Sequence, residues 1–170
     1  MNVDDREILL YPAPVLSEVA QPVEADDASI GPLATRMVDL MFEANGAGLA
    51  APQVGVLKRL FVTIDPADET ASVVWINPQL TIVDDTMELG IEGCLSLPGL
   101  DVSVRRAVGV HIRGLDLEGN AIEAVSSDHI ARVWQHEHDH LDGRLIIDRM
   151  STMDRLRSRR ALRDLVRGED

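Results

Sequence analysis

The feature that most constrains this chain is a run of imidazole and carboxylate side chains around residue 136. His136 and His140 are four residues apart, and Glu137 directly follows the first of them. On an α-helix, residues i and i+4 lie on one face, about 6 Å apart along the axis. Two imidazoles on one face can bind a single divalent cation, and the adjacent carboxylate can serve as a general base. The chain is therefore expected to form a helix here and to bring a further ligand to it.

Composition limits the class of protein. The chain has 170 residues, of which 45% are hydrophobic, enough for one domain over residues 1–170 with a substantial core. The net charge of −13 argues against a DNA-binding protein. No apolar run approaches the ~18 residues that cross a bilayer. The acidic start lacks the layout of a signal peptide. We therefore expect a cytoplasmic protein with neither a membrane nor a DNA partner.

Hydrophobic periodicity predicts an α+β fold. Residues 29–45 have helical spacing, and a second helix is expected to begin after Ser126–Asp128 and to end near Gly143. Between them, Asn77-Pro78 predicts a turn. Alternating or β-branched runs predict strands over 59–65, 73–83, 86–91, 101–106, 108–115 and 121–125. This order predicts antiparallel sheets packed around a central metal-binding helix, with a further helix at the C-terminus.

The tail over residues 151–170 predicts a C-terminal basic helix. It holds six of the 16 basic residues of the chain. Four of them recur every four residues and form what we call the arginine stripe, Arg155, Arg159, Arg163 and Arg167. One interpretation is a solvated helix face. The other is contact with an anionic partner such as ribosomal RNA.

The two histidines need a third ligand, because catalytic zinc-type sites have three protein ligands and water. Cys94 is the strongest candidate, since its thiolate binds borderline metals well and a single cysteine cannot form an internal disulfide. The alternative is a buried, inert thiol. Surface or packing positions are the more common places for lone histidines such as His111, His129 and His138.

Glu137 is the candidate general acid and base, which would take a proton from the attacking water and pass it to the leaving group. The alternative is an exposed helix carboxylate. Asp139, or another carboxylate or carbonyl, is expected to orient a ligand imidazole. Upstream, the glycines of GAGLAAPQ at residues 46–53 allow another group to approach the backbone closely. From this short motif alone, a tight turn after a helix is the more common interpretation.

Three separated motifs resemble those of the peptide deformylase family. They are GAGLAAPQ at 46–53, EGCLS at 92–96 and QHEHDHLDG at 135–143. Their order and approximate spacing also match, and the length and C-terminal helix resemble the bacterial form. The resemblance implies a metallohydrolase that removes the formyl group from the N-terminal methionine of nascent polypeptides and releases formate. Its expected partners are N-formylmethionyl peptides and, through the arginine stripe, the ribosome.

The resemblance also assigns roles to individual residues. The family's metal is typically Fe²⁺, and zinc is common in prepared samples. The family's functional groups correspond to Cys94, His136 and His140 as metal ligands, Glu137 as general acid and base, and the Gln53 side chain with the Leu95 backbone N–H as oxyanion stabilisers.

Four residues are expected to contact the substrate, namely Ala47, Gly48, Arg106 and Val133. The backbone near Gly48 would pair with an extended peptide, and Val133 fits an apolar pocket wall. Arg106 matches a family arginine thought to meet the peptide beyond methionine. At position 47 the family usually has a larger residue than alanine, and at His129 an apolar one. These departures motivate an alternative, a deformylase-like amidase with an altered acyl or side-chain preference.

Two other classes explain fewer of the motifs. A generic endopeptidase with a His-Glu-x-x-His helix accounts for neither the Cys94 motif nor the Gln53 motif. A metal-binding or ribosome-associated module without catalytic activity needs neither Glu137 nor Gln53. Both alternatives leave conspicuous residues without a role.

Overall fold

The computed structural model describes residues 3–167, which form an antiparallel sheet with helices packed against it. The strands are β1 (Gly48–Ala50), β2 (Leu60–Asp65), β3 (Asp68–Glu92), β4 (Val102–Leu115) and β5 (Ala121–Ser126). The helices are α1 (Ile30–Glu43), α2 (His129–Leu141), α3 (Ile146–Arg149), α4 (Thr152–Arg157) and α5 (Arg159–Arg167). Short 3-10 helices cover Val3–Asp5, Pro14–Ser17 and Ala51–Val54. This confirms the α+β class. Over the described part of the chain, no helix is both long and apolar enough to cross a membrane.

Hydrogen bonds join the five strands into one sheet in sequence order, β1-β2-β3-β4-β5. The first half of β3 pairs with β2, where Trp75 lies opposite Phe61. The second half pairs with β4, where Leu80 lies opposite Ile112. Strand β1 is therefore an edge strand. The stretch of β3 that leads to Glu92 has a paired strand on one side only among the described residues.

Strand β3 is continuous where the sequence predicted two strands and a turn. Residues 73–83 and 86–91 belong to one strand, with irregular register around Asp84. The predicted turn at Asn77-Pro78 is wrong, because Asn77 adopts a positive φ of 49° without reversing the chain. Its side chain accepts a hydrogen bond from the Val23 N–H and donates one to the Val23 carbonyl, at 2.8 and 2.9 Å. Residues 101–106 and 108–115 likewise belong to the single strand β4.

Helix α2 lies at the centre of the fold, as predicted. Its apolar face buries Ala131, Trp134 and Leu141 against Phe61 and Trp75 of the sheet. The two indole rings pack edge to face, with centroids 5.8 Å apart. This packing fixes the rotation of α2 about its axis. The opposite face, with its two histidines, therefore points towards β1 and the loop after β3.

Two further apolar clusters flank this centre. Helix α1 packs Met37 and Met41 against Leu49 and Val62 of β1 and β2, which confirms the helix predicted over 29–45. The third cluster contains Leu16 and joins residues 11–16 to β4 and α3. The loop and strands that carry the candidate site residues are thus held from both sides.

The predicted single C-terminal helix over 151–170 is two helices. Ser151 caps α4, with its hydroxyl oxygen accepting a hydrogen bond from the Asp154 N–H at 3.0 Å. The chain bends at Ser158 and continues as α5, and residues 168–170 lie outside the described part. The whole arginine stripe is exposed and lines an apolar groove of about 560 Å³ with Tyr11, Leu156 and Val166.

That residues 1–170 form one domain stays a prediction.

Candidate metal centre and catalytic site

The fold brings the three predicted ligand residues together. His136 and His140 lie one turn apart on α2, and Cys94 lies in the loop after β3. The Cys94 Sγ is 3.4 Å from His140 Nε2, which is 3.3 Å from His136 Nε2. The candidate ligand atoms all lie within 4.8 Å of one another. Among the described residues, this is the group that could hold a metal ion.

The chemistry of these atoms fits a transition metal. Bonds of 2.0–2.3 Å at tetrahedral angles place neighbouring ligand atoms roughly 3.3–3.8 Å apart, which is the spacing seen here. A thiolate with two imidazoles suits iron or zinc better than magnesium or calcium. A cation between the three atoms would satisfy both imidazole nitrogens at once.

Glu92 supports this cluster through His136, and no role was predicted for it from the sequence. Its Oε2 lies 3.1 Å from His136 Nδ1. Arg106 donates two hydrogen bonds of 2.9 Å to the same carboxylate, and Arg132 donates one of 3.0 Å. Burial alone would raise the pKa of Glu92, but the bonds and charges of Arg106 and His136 hold that pKa well below its usual range. The sequence signal that could have identified Glu92 is its position two residues before Cys94.

Arg106 is buried beneath the site and is not among the residues that line the cavity, and its predicted contact with substrate stays a prediction. Its side chain is 5% exposed, and it donates to both Glu92 and Asp139. Asp139 also pairs with Arg149 and does not contact a ligand imidazole in the described structure. Opposite charges on both sides hold the guanidinium in this position. Arg106 thus supports the carboxylate behind His136.

The candidate ligands differ in protonation. Burial lowers the pKa of His140 well below its ordinary value, and the charges of His136 and Arg106 add to this. Burial also acts to lower the pKa of His136, but Cys94 and Glu92 outweigh it and raise that pKa to about 10. A metal ion that binds here must therefore displace a proton from the cluster.

Glu137 is buried, with 3% of its surface exposed. A Cβ at Gly48 would lie 2.5 Å from Glu137 Oε1, so only glycine leaves room for the carboxylate against β1. Its Oε2 is buried and has no hydrogen-bond partner among the described residues. Burial, with the nearby charge of Glu92, raises the pKa of Glu137 to about 7, while the charges of His136 and Arg106 oppose this rise. The carboxyl can therefore hold or release a proton near neutral pH.

Gln53 is held by both ends of its amide. Its Oε1 accepts a hydrogen bond from the Ala50 N–H at 2.9 Å, and its Nε2 donates to Ser96 Oγ at 3.1 Å. The same Nε2 lies 3.6 Å from Cys94 Sγ, so one amide group borders the candidate metal ligands. Ser96 is fully buried, and no role was predicted for it from the sequence. The segment over 46–53 is thus a close backbone approach formed by β1 and a 3-10 helix, not a simple turn.

A cavity of about 430 Å³ opens beside these groups. The predicted substrate contacts Ala47, Gly48 and Val133 line it, together with Gln53, Leu95, His136 and Glu137. His129, Arg132 and Asp101 also line it. The cavity therefore joins a candidate metal cluster, a buried carboxyl and an amide donor to a space large enough for an amino-acid residue.

Comparison with known proteins identifies the family of the chain that carries this site. A family model described as polypeptide deformylase matches residues 5–156. The chain belongs to the polypeptide deformylase family. Peptide deformylases remove the formyl group from N-terminal formylmethionine, so the predicted hydrolase class is confirmed.

The peptide deformylases of two bacteria show how far this similarity extends. The chain is 44% identical to that of Thermodesulfovibrio yellowstonii over 151 residues, 88% of this chain and 91% of the relative. It is 45% identical to that of Alkalilimnicola ehrlichii over 163 residues, 95% and 90% of the two chains. The similarity thus covers nearly the whole chain.

Solved peptide deformylases have the same fold. The enzyme from Legionella pneumophila is 38% identical, with a TM-score of 0.86 over 95% of each chain. An inhibitor complex of the Plasmodium falciparum enzyme is 34% identical, with a TM-score of 0.85 over 95% of this chain and 99% of that one. The deformylase family is metal-dependent, and Cys94, His136 and His140 are the possible metal site that this chain offers.

Proposed function

We propose that this chain hydrolyses the formamide bond of N-formylmethionyl peptides, with the residues of the cavity in the following roles. The observation that carries the assignment is the buried Glu137 carboxyl beside the Cys94–His136–His140 cluster. A protein that only bound metal would gain nothing from an unpaired buried carboxyl, which costs free energy.

Cys94, His136 and His140 would hold the metal ion, with Glu92 orienting the His136 imidazole. When bound, the metal supplies Lewis acidity, which lowers the pKa of a water molecule and polarises the formyl carbonyl. The family resemblance supports Fe²⁺ as the metal, with Zn²⁺ as a substitute in prepared protein.

Glu137 would move the proton. Its pKa of about 7 allows the Oε2 atom to accept a proton from the attacking water and then to donate it to the departing amine. Since this oxygen has no hydrogen-bond partner among the described residues, no protein donor competes for it there.

Gln53 and the Leu95 backbone N–H would stabilise the oxyanion that develops on the formyl oxygen. The bonds to Ala50 and Ser96 fix the Gln53 amide before substrate arrives. Donors that are already oriented need no reorganisation in the transition state. Removing one such donor typically costs on the order of 10²-fold in rate.

Strand β1 would align the peptide. It pairs with β2 on one side and is the first strand of the sheet, so its other edge is available to an extended substrate. Gly48 would pair with the substrate backbone, while Ala47 and Val133 would contact the methionine side chain. Backbone pairing of this kind accepts many sequences after the methionine.

Activity and metal content together test this proposal. Wild-type protein purified with Fe²⁺ under anaerobic conditions should hydrolyse formyl-Met-Ala-Ser and leave acetyl-Met-Ala-Ser intact. The variant Glu137→Ala should keep its metal and lose on the order of 10³-fold in kcat. Equal turnover of the formyl and acetyl peptides would instead support the alternative amidase, and an inactive, metal-loaded wild type would support a binding module.

The arginine stripe would contact the ribosome, where formylated nascent chains emerge. The four side chains are exposed on α4 and α5 and line the same apolar groove. Phosphate groups attract such clusters in a salt-dependent way. A ribosome-bound enzyme of this kind would work in the cytoplasm.

A further inference from the structure

The active-site cavity extends along helix α2, away from the metal cluster. Successive residues of α2 line it, from His136 and Val133 to Arg132 and His129. At a rise of 1.5 Å per residue, the wall from His136 to His129 is about 10 Å long. A formyl group reacting at the metal cluster would therefore direct the adjacent methionine side chain towards Arg132 and His129.

Arg132 is fixed across two strands at this far end. Its guanidinium donates hydrogen bonds of 3.0 Å to the Glu92 carboxylate, to the Val104 carbonyl on β4 and to the Glu88 carbonyl on β3. Three acceptors hold one planar group, so the side chain has little freedom to move aside. The side chain is 15% exposed.

A second cavity of about 260 Å³ adjoins the first at this position. His129 and Arg132 line both cavities, and the second is otherwise lined by residues such as Glu88, Gly90 and Asp128. The Arg132 guanidinium thus forms part of the wall between the two spaces.

Gly90 leaves room for this guanidinium. A Cβ at Gly90 would lie 2.7 Å from Arg132 Cζ, and the three nearest atoms all belong to the guanidinium. Gly90 lies within β3 and does not have a positive φ, so its backbone conformation does not require glycine. What the position requires is space for Arg132.

We propose that Arg132 closes the far end of the side-chain pocket and limits the length of the residue that carries the formyl group. The inference rests on the proposed function, because it takes the metal cluster as the position of the formyl group. With the guanidinium in place, the pocket ends at Arg132 and His129. Without it, the two cavities join and a longer apolar side chain can enter.

The test compares two substrates that differ only in side-chain length, formyl-Met-Ala-Ser and a peptide with 2-aminooctanoic acid in place of methionine. The longer side chain adds two heavy atoms. Each additional buried methylene is worth roughly fourfold in binding, so Arg132→Ala should raise the ratio of kcat/KM for the longer substrate over that for the methionine substrate about 15-fold. Arg113→Ala is the control, since that exposed arginine pairs with Glu123 on the outer surface and should leave the ratio unchanged.

Gly90→Ala provides a second route to the same change. Its methyl group should displace the guanidinium and raise the ratio in the wild-type background. In the Arg132→Ala background the collision partner is absent, so Gly90→Ala should add nothing further. This dependence identifies Arg132 as the group through which Gly90 acts.

If Arg132→Ala lowers kcat/KM by the same factor for both substrates, the proposal is overturned, because the role of Arg132 would then be purely structural. Additive effects of the two substitutions would overturn it as well. Thermal unfolding and metal content of the same samples report on folding, and if Arg132→Ala does not fold, the ratio in Gly90→Ala decides.

A separate measurement distinguishes this inference from the proposed function. Calorimetry of the unformylated peptides Met-Ala-Ser and 2-aminooctanoyl-Ala-Ser measures pocket length without turnover. Arg132→Ala should bind the longer peptide more tightly than wild type does, and an unchanged preference would contradict the pocket boundary. A wild type that fails to hydrolyse formyl-Met-Ala-Ser would contradict the proposed function only.

Discussion

At the scale of single residues, the carboxylate of Glu92 connects the candidate metal ligands to the rest of the fold. It contacts His136 Nδ1 and accepts hydrogen bonds from both Arg106 and Arg132. Residues that orient a metal-bound imidazole are typically worth 10–100-fold in metal affinity. The cluster therefore depends on a residue that touches no metal.

We expect Glu92→Gln to weaken metal binding on the order of 10–100-fold, measured by competition with a chromophoric chelator. The amide removes the negative charge that faces His136 and the two arginines. Glu123→Gln is the matched control, because Glu123 also contacts a histidine and an arginine, but on the exposed side of β4 and β5. Equal affinities in both variants and wild type would contradict the orienting role.

Gly48 gives a second prediction at this scale. The added methyl group of Gly48→Ala would lie 2.5 Å from Glu137 Oε1, so the carboxyl or strand β1 must shift. A misplacement of about 1 Å can cost 10²-fold in rate, and we expect kcat to fall by at least that factor. The metal content should be unchanged, since no candidate ligand lies on β1.

Gly31→Ala is the control for this substitution. Gly31 lies in α1, and a Cβ there meets nothing within 4 Å. Alanine also suits a helix interior better than glycine does. Wild-type activity in Gly48→Ala would mean that Glu137 is not the proton carrier, or that it needs no fixed position.

The sequence predicted site residues whose spacing follows a regular structure such as a helix. It did not predict residues whose role depends on a contact with a part of the chain far away in sequence. His136 and His140 share a face by helical geometry, and Cys94 followed from the need for a third ligand. Ser96 contacts Gln53, 43 residues away, and periodicity reports no such pairing. The same limit applies to Arg106, whose position in a strand gave no sign that Glu92 and Asp139 enclose it.

At the scale of elements, strand and helix types were predictable, but their continuity was not. Polar pairs such as Asp84-Asp85 suggest a break in β3, yet pairing with β4 carries the strand through with irregular register. In the tail, helical periodicity extends across Ser158, where the structure separates α4 from α5. Pairing between strands thus overrode the local preference in β3.

The arginine stripe gives the prediction for these elements. If it binds the ribosome, Arg159→Gln with Arg163→Gln should reduce ribosome co-sedimentation and lower the salt dependence of binding by about one unit per lost phosphate contact. Point variants are preferable to deletion of the tail, because Leu162 and Leu165 pack against the third core cluster.

The chain contains a matched control pair outside the stripe. Arg157 and Arg160 lie on the same two helices, and their side chains are 74% and 88% exposed. Replacing both by glutamine removes the same charge from a different face. An equal loss of ribosome co-sedimentation in the two double variants would show a general charge effect. No loss in either variant would mean that the stripe is a solvated helix face.

At the scale of the whole molecule, the candidate site joins parts of the fold that have separate cores. Helix α2 belongs to the cluster around Trp134, whereas Cys94 packs against the third cluster with Leu97 and Val104. A metal ion bound by Cys94, His136 and His140 would therefore link two clusters across the cavity. Neither cluster depends on the ion for its apolar contacts.

Metal removal should therefore leave a folded protein with a lower Tm. A ligand at 1,000 times its Kd stabilises a fold by about 4 kcal/mol, and a shift of 1 kcal/mol moves the Tm of a chain this size by roughly 2–4 °C. We expect chelation to lower the Tm by about 8–16 °C in calorimetry, with far-ultraviolet circular dichroism unchanged at 25 °C. In Cys94→Ser, chelation should lower the Tm by less than in the wild type, because the serine hydroxyl binds the metal less tightly than the thiolate does. Global unfolding on chelation would contradict independent cores, and an unchanged Tm would contradict a metal link between them.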